Sequence, residues 1–475
     1  MDRDRHLQAL AAFYDDYARQ VATWYRRNAG YHRNIASLAR FYIPPDSRVL
    51  ELGSGTGDLL AALKPSAGVG IDLSTEMVRL AQRTYPHLTF HHMAAEALDL
   101  HESPFDFILL SDLVGSLYDI RQVFERLRTV CHRRTRIVLH WYSRVWQPVL
   151  GLAERLGLKY PQPHLNWTTI DDIANLLSLA DCDVVHRRQH MLLPLHVPIL
   201  TPLANRYLAH LPVLQWGCLT NWVVARPLRL NAPSGRPSVS VICPCRNEAA
   251  TIDDIAKRLP QMGSHTELIF VEGHSRDDTL ARCRQVAAAR PAQDIKVYVQ
   301  EGAGKGDAVR LGFAKANGDI LMILDADLGI IPEDLAQLYE ALVDGRGECI
   351  NGSRLVYAMD PRAMRFLNLL GNRCFAWLLS TILQQPIKDT LCGTKALWRS
   401  DYLRLAAGRA YFGELDPFGD FDVLLGAAKL HLKIIEIPLR YRERRYGQTN
   451  IRRFNDGWLL IRMVAKAANR LMFVA

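Results

Sequence analysis

Short apolar runs alternate with helical stretches along most of this chain. In the first half SRVLELG, AGVGIDL, FDFILLSD and TRIVLHW read as strands, and GDLLAAL and TEMVRLAQR lie between them with helical spacing. That alternation predicts an α/β fold, a parallel sheet with helices on both faces. The pattern breaks at PLRLNAPSGRP, Pro227 to Pro237, a mixture of Pro, Gly, Ser and Asn typical of a linker. It then resumes with PSVSVICP, TELIFVE, IKVYVQ and DILMILD as strands, and helices around 251–259, 278–289 and 307–316. Two doubly wound domains are expected, 1–228 and 238–475, joined by 229–237. Such sheets take ligands at the carboxyl ends of their strands.

No transmembrane span is expected. The stretch Tyr207 to Ala225 is long enough, but His210, Pro212, Gln215, Gly217 and Asn221 interrupt it. Met-Asp-Arg-Asp-Arg-His is followed by no apolar core, so a signal peptide is not expected. The pattern from Trp458, WLLIRMVAKAANRLMF, is helical and places Arg462, Lys466 and Arg470 on one stripe. It suits either a helix lying on an anionic bilayer or a terminal helix docked on its own domain with a solvated basic face. Arg362–Ile387 adds a second apolar helix to the same surface.

Composition narrows the class. With 475 residues, 49% hydrophobic and 23% charged, the chain is globular rather than disordered. Its net charge of +9 is uneven: residues 429–475 hold 11 basic and 3 acidic residues. That tail calls for an anionic partner. Nucleic acid is not expected, because no aromatic-and-basic reading module is apparent. The nine cysteines form no CxxC pair, which suits a reduced, cytoplasmic chain, peripheral at the inner face of a membrane.

The first candidate site is E-L-G-S-G-T-G-D, Glu51 to Asp58, between a strand and a helix. Gly53, Gly55 and Gly57 permit a tight turn and close approach of a ligand. Asp72 ends the next strand, where an acid accepts ribose hydroxyls. Glu51 would repel a pyrophosphate and suits a cationic ligand. Residues from about 45 to 140 resemble a class I S-adenosylmethionine-dependent methyltransferase. The resemblance implies that Glu51, Gly53, Ser54, Gly55 and Gly57 line the cofactor and that Asp72 holds its ribose. Ala94 stands where the family often has an adenine-contacting acid, with Glu96 two residues on. Ser111 and Asp112 fall near the methyl group. Trp141, Tyr142, Trp146 and Trp167 are read as core rather than as an acceptor pocket.

The second candidate site collects four features in order: P-C-R-N-E (Pro244 to Glu248), E-G-H-S-R-D-D-T (Glu272 to Thr279), G-A-G-K-G-D-A (Gly302 to Ala308) and D-A-D (Asp325 to Asp327). Two carboxylates at i and i+2 on a strand end suit a divalent cation that neutralises a departing diphosphate. This half, about 237 to 450, resembles the inverting family-2 glycosyltransferases of GT-A fold, in the dolichyl-phosphate mannosyltransferase-like branch. The resemblance implies that Pro244, Asn247, Glu248, Glu272, Lys305, Gly306 and Asp325 bind a nucleoside-diphosphate sugar. It also implies that Asp325 and Asp327 hold Mg2+ or Mn2+. Asp389-Thr-Leu-Cys-Gly-Thr-Lys395 and Arg444-Arg-Tyr-Gly-Gln-Thr-Asn450 match further motifs of the branch. By resemblance Arg354, Lys395, Arg444, Arg445 and Thr449 hold an acceptor lipid phosphate, with Asn450 where the branch usually has Lys. For a saccharide hydroxyl acceptor, Asp416, Asp420 and Asp422 are base candidates. The expectation is a bifunctional enzyme. Its alternative is a saccharide-directed glycosyltransferase with a non-catalytic first domain.

Overall fold

The computed structural model describes residues 2–163, 166–195, 197–228, 230, 235–357, 366–413, 419–442 and 453–474. These form two compact units, 1–231 with 473–475, and 232–472.

The first unit is built on β1 (Arg48–Leu52), β2 (Ala67–Asp72), β3 (Thr89–His92), β4 (Phe105–Ser111), β5 (Cys131–Tyr142), β6 (Cys182–His190) and β7 (Thr220–Pro227). Their order in the sheet is β3-β2-β1-β4-β5-β7-β6, parallel except for β7, which runs against both neighbours. Val49, Leu50, Leu52, Ile108, Leu109 and Leu110 are fully buried because helices cover both faces of the central strands. Leu50, Leu52 and Ile108 pack into one core layer, and Val49, Leu109 and Val138 into the other. Trp141 belongs to the first layer and Trp146 and Trp167 border the second, in keeping with the core reading of these residues. Three helices, Arg3–Tyr17, Val21–Arg27 and Ala29–Tyr42, precede β1.

The second unit holds β8 (Val239–Cys245), β9 (Thr266–Glu272), β10 (Asp294–Val299), β11 (Ile320–Ile323), β12 (Cys349–Ser353), β13 (Lys395–Trp398) and β14 (Ile434–Pro438). Their order is β10-β9-β8-β11-β13-β12-β14, with β13 antiparallel to β11 and β12. The predicted helices form as Ile252–Arg258, Thr279–Ala289 and Lys305–Lys315.

The last helix, Arg453–Ala467, continues into a π turn, Ala468–Met472. Leu460, Met463, Val464, Ala467 and Leu471 are buried, and Arg462 and Arg470 are exposed. Tyr411 donates to the Arg470 carbonyl at 2.7 Å. These apolar positions are packed against the protein, as the docked alternative expects, while Trp458 and Ile461 of the same helix are exposed. Among the described residues no helix is long and apolar enough to cross a membrane.

Candidate functional sites

In the first unit the chain leaves β1 through three glycines with left-handed backbone, Gly53 (φ 69°), Gly55 (φ 51°) and Gly57 (φ 79°). L-residues with a Cβ rarely adopt these angles. A Cβ on Gly55 would meet nothing within 4 Å, so this turn borders open space. Asp72 sets the turn: one carboxylate oxygen accepts the Gly55 N–H at 2.8 Å and the other the Ser74 N–H at 2.9 Å. Each oxygen keeps a second lone pair for a ligand. Burial raises the Asp72 carboxyl pKa, outweighing both N–H donors. Burial also pushes the Glu51 carboxyl well above its usual range. Glu51 Oε2 and Ser54 Oγ are buried without a hydrogen-bond partner, orphans that a polar ligand would satisfy.

Asp112 follows β4 with φ 55°. Tyr31 donates to its Oδ2 at 2.8 Å, and its Oδ1 lies 3.4 Å from Nδ1 of the fully buried His140. Burial depresses the His140 pKa, although Asp112 opposes this. Glu96 is placed differently from the expectation. It is buried, and its Oε1 accepts the Tyr118 N–H at 3.0 Å, so one of its oxygens is turned to the backbone.

In the second unit the sequence motifs meet at the sheet edge. Lys305 Nζ lies 2.6 Å from Asp325 Oδ1 and 3.9 Å from Asp420 Oδ2. Lys395 Nζ lies 3.6 Å from Asp420 Oδ1. Two ammonium groups thus alternate with two carboxylates. Burial works against the Asp325 charge, but Lys305, Arg354 and Lys395 overcome it and hold the carboxyl below its usual range. Burial likewise opposes the Lys305 charge, and Asp325 and Asp420 overcome it in turn. Gly393 is the close neighbour of this cluster: a Cβ there would collide with Lys305 Nζ and Asp325 Oδ2. Asp327 accepts the Gly329 N–H at 3.0 Å.

Beside this cluster, the ends of β8 and β9 are laced together. Asn247 N–H donates to Ser275 Oγ at 3.0 Å, and Asn247 Oδ1 accepts the Arg276 N–H at 2.8 Å. Glu272 Oε1 accepts the Ser275 N–H at 2.5 Å, and the Glu248 N–H donates to Thr279 Oγ1 at 2.9 Å. Pro244 lies within β8, and Gly306 opens the helix Lys305–Lys315 directly under Gly419.

Three expected contact residues are committed elsewhere. Lys395 is fully buried, donating to Asn351 Oδ1 at 2.9 Å and to the Cys392 carbonyl, so it supports the site from behind rather than meeting an acceptor. Arg354 makes a bidentate pair with buried Asp389, at 2.7 and 2.9 Å, and Asn372 adds a bond to the same carboxylate at 2.8 Å. Asp422 pairs with Arg409 at 2.7 Å and is not part of the four-charge cluster. Asp416, Arg444, Arg445 and Thr449 lie outside the described residues.

Sequence reasoning missed Gly393 as the residue that lets Lys305 approach Asp325, and missed His140, Tyr31 and the tyrosines of the first helices. The repeated Tyr at 14, 17, 25 and 31 was the available signal.

Comparison with known proteins finds a family for each unit. Residues 23–187 match the Methyltransferase domain family, and residues 240–403 match Glycosyl transferase family 2. Among curated relatives, glycosyltransferase AglJ of Haloferax volcanii is 29% identical over 225 residues, 47% of this chain and 69% of that protein. Dolichol-phosphate mannosyltransferase of Pyrococcus furiosus is 27% identical over 220 residues, 45% of this chain and 59% of that protein. Undecaprenyl-phosphate 4-deoxy-4-formamido-L-arabinose transferase of Edwardsiella ictaluri is 26% identical over 217 residues, 44% of this chain and 62% of that protein. The chain thus spans about three fifths of the length of the last two relatives.

Proposed function

We propose that this chain, a methyltransferase domain followed by a family-2 glycosyltransferase domain, transfers a sugar from a nucleoside diphosphate to a lipid phosphate, with inversion, and transfers a methyl group from S-adenosylmethionine. The observation that carries the first activity is the Lys305–Asp325–Asp420–Lys395 cluster, assembled from four distant segments at the strand ends.

Asp325 and Asp327 supply hard oxygen donors, and no group of three or more metal-ligating His, Cys, Asp or Glu is present among the described residues. That set fits Mg2+ or Mn2+, which take one or two carboxylates and complete their shell with substrate phosphates and water. Such a cation would stabilise charge on the leaving diphosphate. Lys305 adds a fixed positive charge beside it. Asn247 and Glu272 hold the loop that would border the nucleotide.

A phosphate acceptor is supported by the electrostatics of the cluster. Asp420, its carboxylate besides Asp325, is 4% exposed and faces two ammonium groups, so it is engaged inside the cluster and is not placed to serve a hydroxyl as a proton acceptor. An ionised phosphate needs none. Two relatives named for dolichol-phosphate and undecaprenyl-phosphate point the same way. Peripheral membrane contact is assigned to Leu370, Trp377, Trp458 and Ile461, all exposed on two helices of the second unit.

For the methyl donor, the open turn at Gly55, the spare lone pairs of Asp72 and the orphan oxygens of Glu51 and Ser54 fit S-adenosylmethionine. The cofactor brings an activated methyl group, and the chain holds and orients it. Asp325→Ala is expected to lower turnover across a nucleotide-sugar panel by about 10²-fold or more. Unchanged turnover would refute the assignment.

A further inference from the structure

We propose that the first unit carries a membrane-docking surface of its own, formed by residues 145–156 and 197–216, which seats on an anionic lipid monolayer without crossing it. Two stretches of this unit turn their apolar side chains outward. Across the turn Arg144–Trp146 and the helix Gln147–Arg155, Val145, Val149, Leu152 and Leu156 repeat at helical spacing, and each is at least half exposed. Leu150, turned away from that stripe, packs into the core with Met191 and Leu219. The second stretch runs through the helix Leu200–Arg206 and the turns Leu208–His210 and Leu214–Gly217. Ile199 and Val213 are each 85% exposed there and Trp216 76%, with Leu203 and Tyr207 also open to solvent. The indole N–H of Trp146 donates to the Gly217 carbonyl at 2.8 Å and ties the two stretches together.

The second stretch is an inverted surface. Its buried side chains are the polar and small ones, Asn205, His210, Ala204 and Ala209. Asn205 clasps the stretch from within: its Oδ1 accepts the Leu193 N–H at 2.8 Å, and its Nδ2 donates to the Leu193 carbonyl at 3.0 Å. Ile199 holds φ 67°, unfavourable for a β-branched residue, with its side chain outward. Scattered apolar side chains are normal on a surface, but a contiguous set of this size marks a place of docking.

Charge and aromatic placement select lipid as the occupant. Residues 197–216 contain no acid, and their one formal charge is Arg206, which is exposed. Arg144 and Arg155 are exposed on the other stretch, and its acid, Glu154, is held by Lys159 at 2.6 Å. The surface is therefore basic, which suits an anionic monolayer. A second copy of the chain on a two-fold axis would set these arginines against themselves. Tyr207 and Trp216 are the ring types enriched where a membrane meets water. Pro198, Pro202 and Pro212 lack an N–H, so fewer backbone donors need a partner once water is displaced. The helix Leu200–Arg206 has seven residues, far short of the ~20 of a span, so the surface lies in the interface.

The test uses the full chain and vesicles of phosphatidylcholine with and without phosphatidylglycerol. Every protein carries Trp377→Ser and Trp458→Ser, so that the exposed tryptophans of the second unit do not contribute. Burial of a leucine-sized side chain strengthens binding about tenfold or more, so Leu152→Glu with Val213→Glu should lower partition onto phosphatidylglycerol vesicles by ~10²-fold, with an unchanged melting temperature. Val149→Ser with Leu203→Ser removes apolar area without adding charge and should lower it about tenfold or more. If the glutamates lower the melting temperature, the serine pair decides. Unchanged partition in the serine pair, or a parent that does not bind, overturns the proposal. Equal partition of the parent onto neutral vesicles overturns the choice of an anionic surface. Sedimentation velocity on the same proteins covers the other occupant. A parent dimer that the glutamates dissociate, with vesicle binding unaltered, makes the surface a contact between copies and overturns the proposal as well.

Discussion

Replacing Lys395 by Met separates a supporting role from an acceptor-binding one. The Lys395 side chain is fully buried, and the substitution conserves its length while deleting its charge. Two groups lose their donor, Asn351 Oδ1 and the Cys392 carbonyl, and Asp420 Oδ1 loses the ammonium group 3.6 Å away. Asp420 is 6% exposed at its side chain and, among the described residues, would keep Lys305 at 3.9 Å as its cationic partner. Removing one partner from a buried ion pair costs about 3–5 kcal/mol, because the remaining charge is left in a poor solvent. At ~2–4 °C per kcal/mol for a unit of this size, that is a fall in melting temperature of roughly 10 °C. Scanning calorimetry on Lys395→Met, Asp420→Asn and the double variant measures it. The double variant should recover part of the loss, since it removes the orphaned charge as well. If Lys395→Met melts with the parent and only raises KM for the acceptor, Lys395 faces the acceptor and the supporting role is wrong.

Gly393→Ala drives a methyl group between Lys305 and Asp325, with Asp325 Oδ1 at 2.8 Å from the new carbon. A displacement of about 1 Å there should cost ~10²-fold in sugar transfer, and a fully active variant would show that Gly393 does not govern this approach. Glu51 is tested by pH. Burial holds its folded carboxyl well above an unfolded value near ~4.3, so the folded state binds more protons in that window and stability falls as pH rises through it. Glu51→Gln should therefore melt higher than the parent at pH 8 and show no such gain at pH 4; equal shifts at both would contradict the burial effect. Replacing Trp377 and Trp458 together by Ser should weaken sedimentation with anionic vesicles, and an unchanged pellet would reject those two residues as the contact.

The sequence exposed the central strands because burial on both faces makes them continuous apolar runs, as in FDFILLSD. It exposed the motifs because glycines and acids at strand ends interrupt those runs. Strands that start on or carry many polar residues were illegible for the converse reason. In β6, CDVVHRRQH carries His186, Arg187, Arg188 and His190, and nothing in its composition separates it from a loop. β13 is four residues long and starts on a lysine, which reads as a polar turn until Asp420 is seen beside it. The same distance in sequence hid the roles of Arg354 and Asp389. Each looks like a ligand-binding charge alone, and the two cancel when 35 residues of chain bring them to 2.7 Å. Asp112 was legible by position, but not its partners, since Tyr31 lies 81 residues away on a helix that carries no motif.

The reversal of β13 has a consequence for how the sugar-transfer edge acquires its residues. A parallel strand delivers the segment that follows it to the ligand edge. β13 pairs Lys395 with Ile323, the last residue of β11, and so delivers the segment that precedes it. Asp389 to Lys395 therefore reaches the same edge as Asp325 while travelling the opposite way along the chain. Changes of length just before β13 will behave as active-site changes, and equal changes just after it, in Arg399–Ala407, will fall at the far end of the sheet. For swapping specificity between related chains, the segment to exchange is the one that enters this strand.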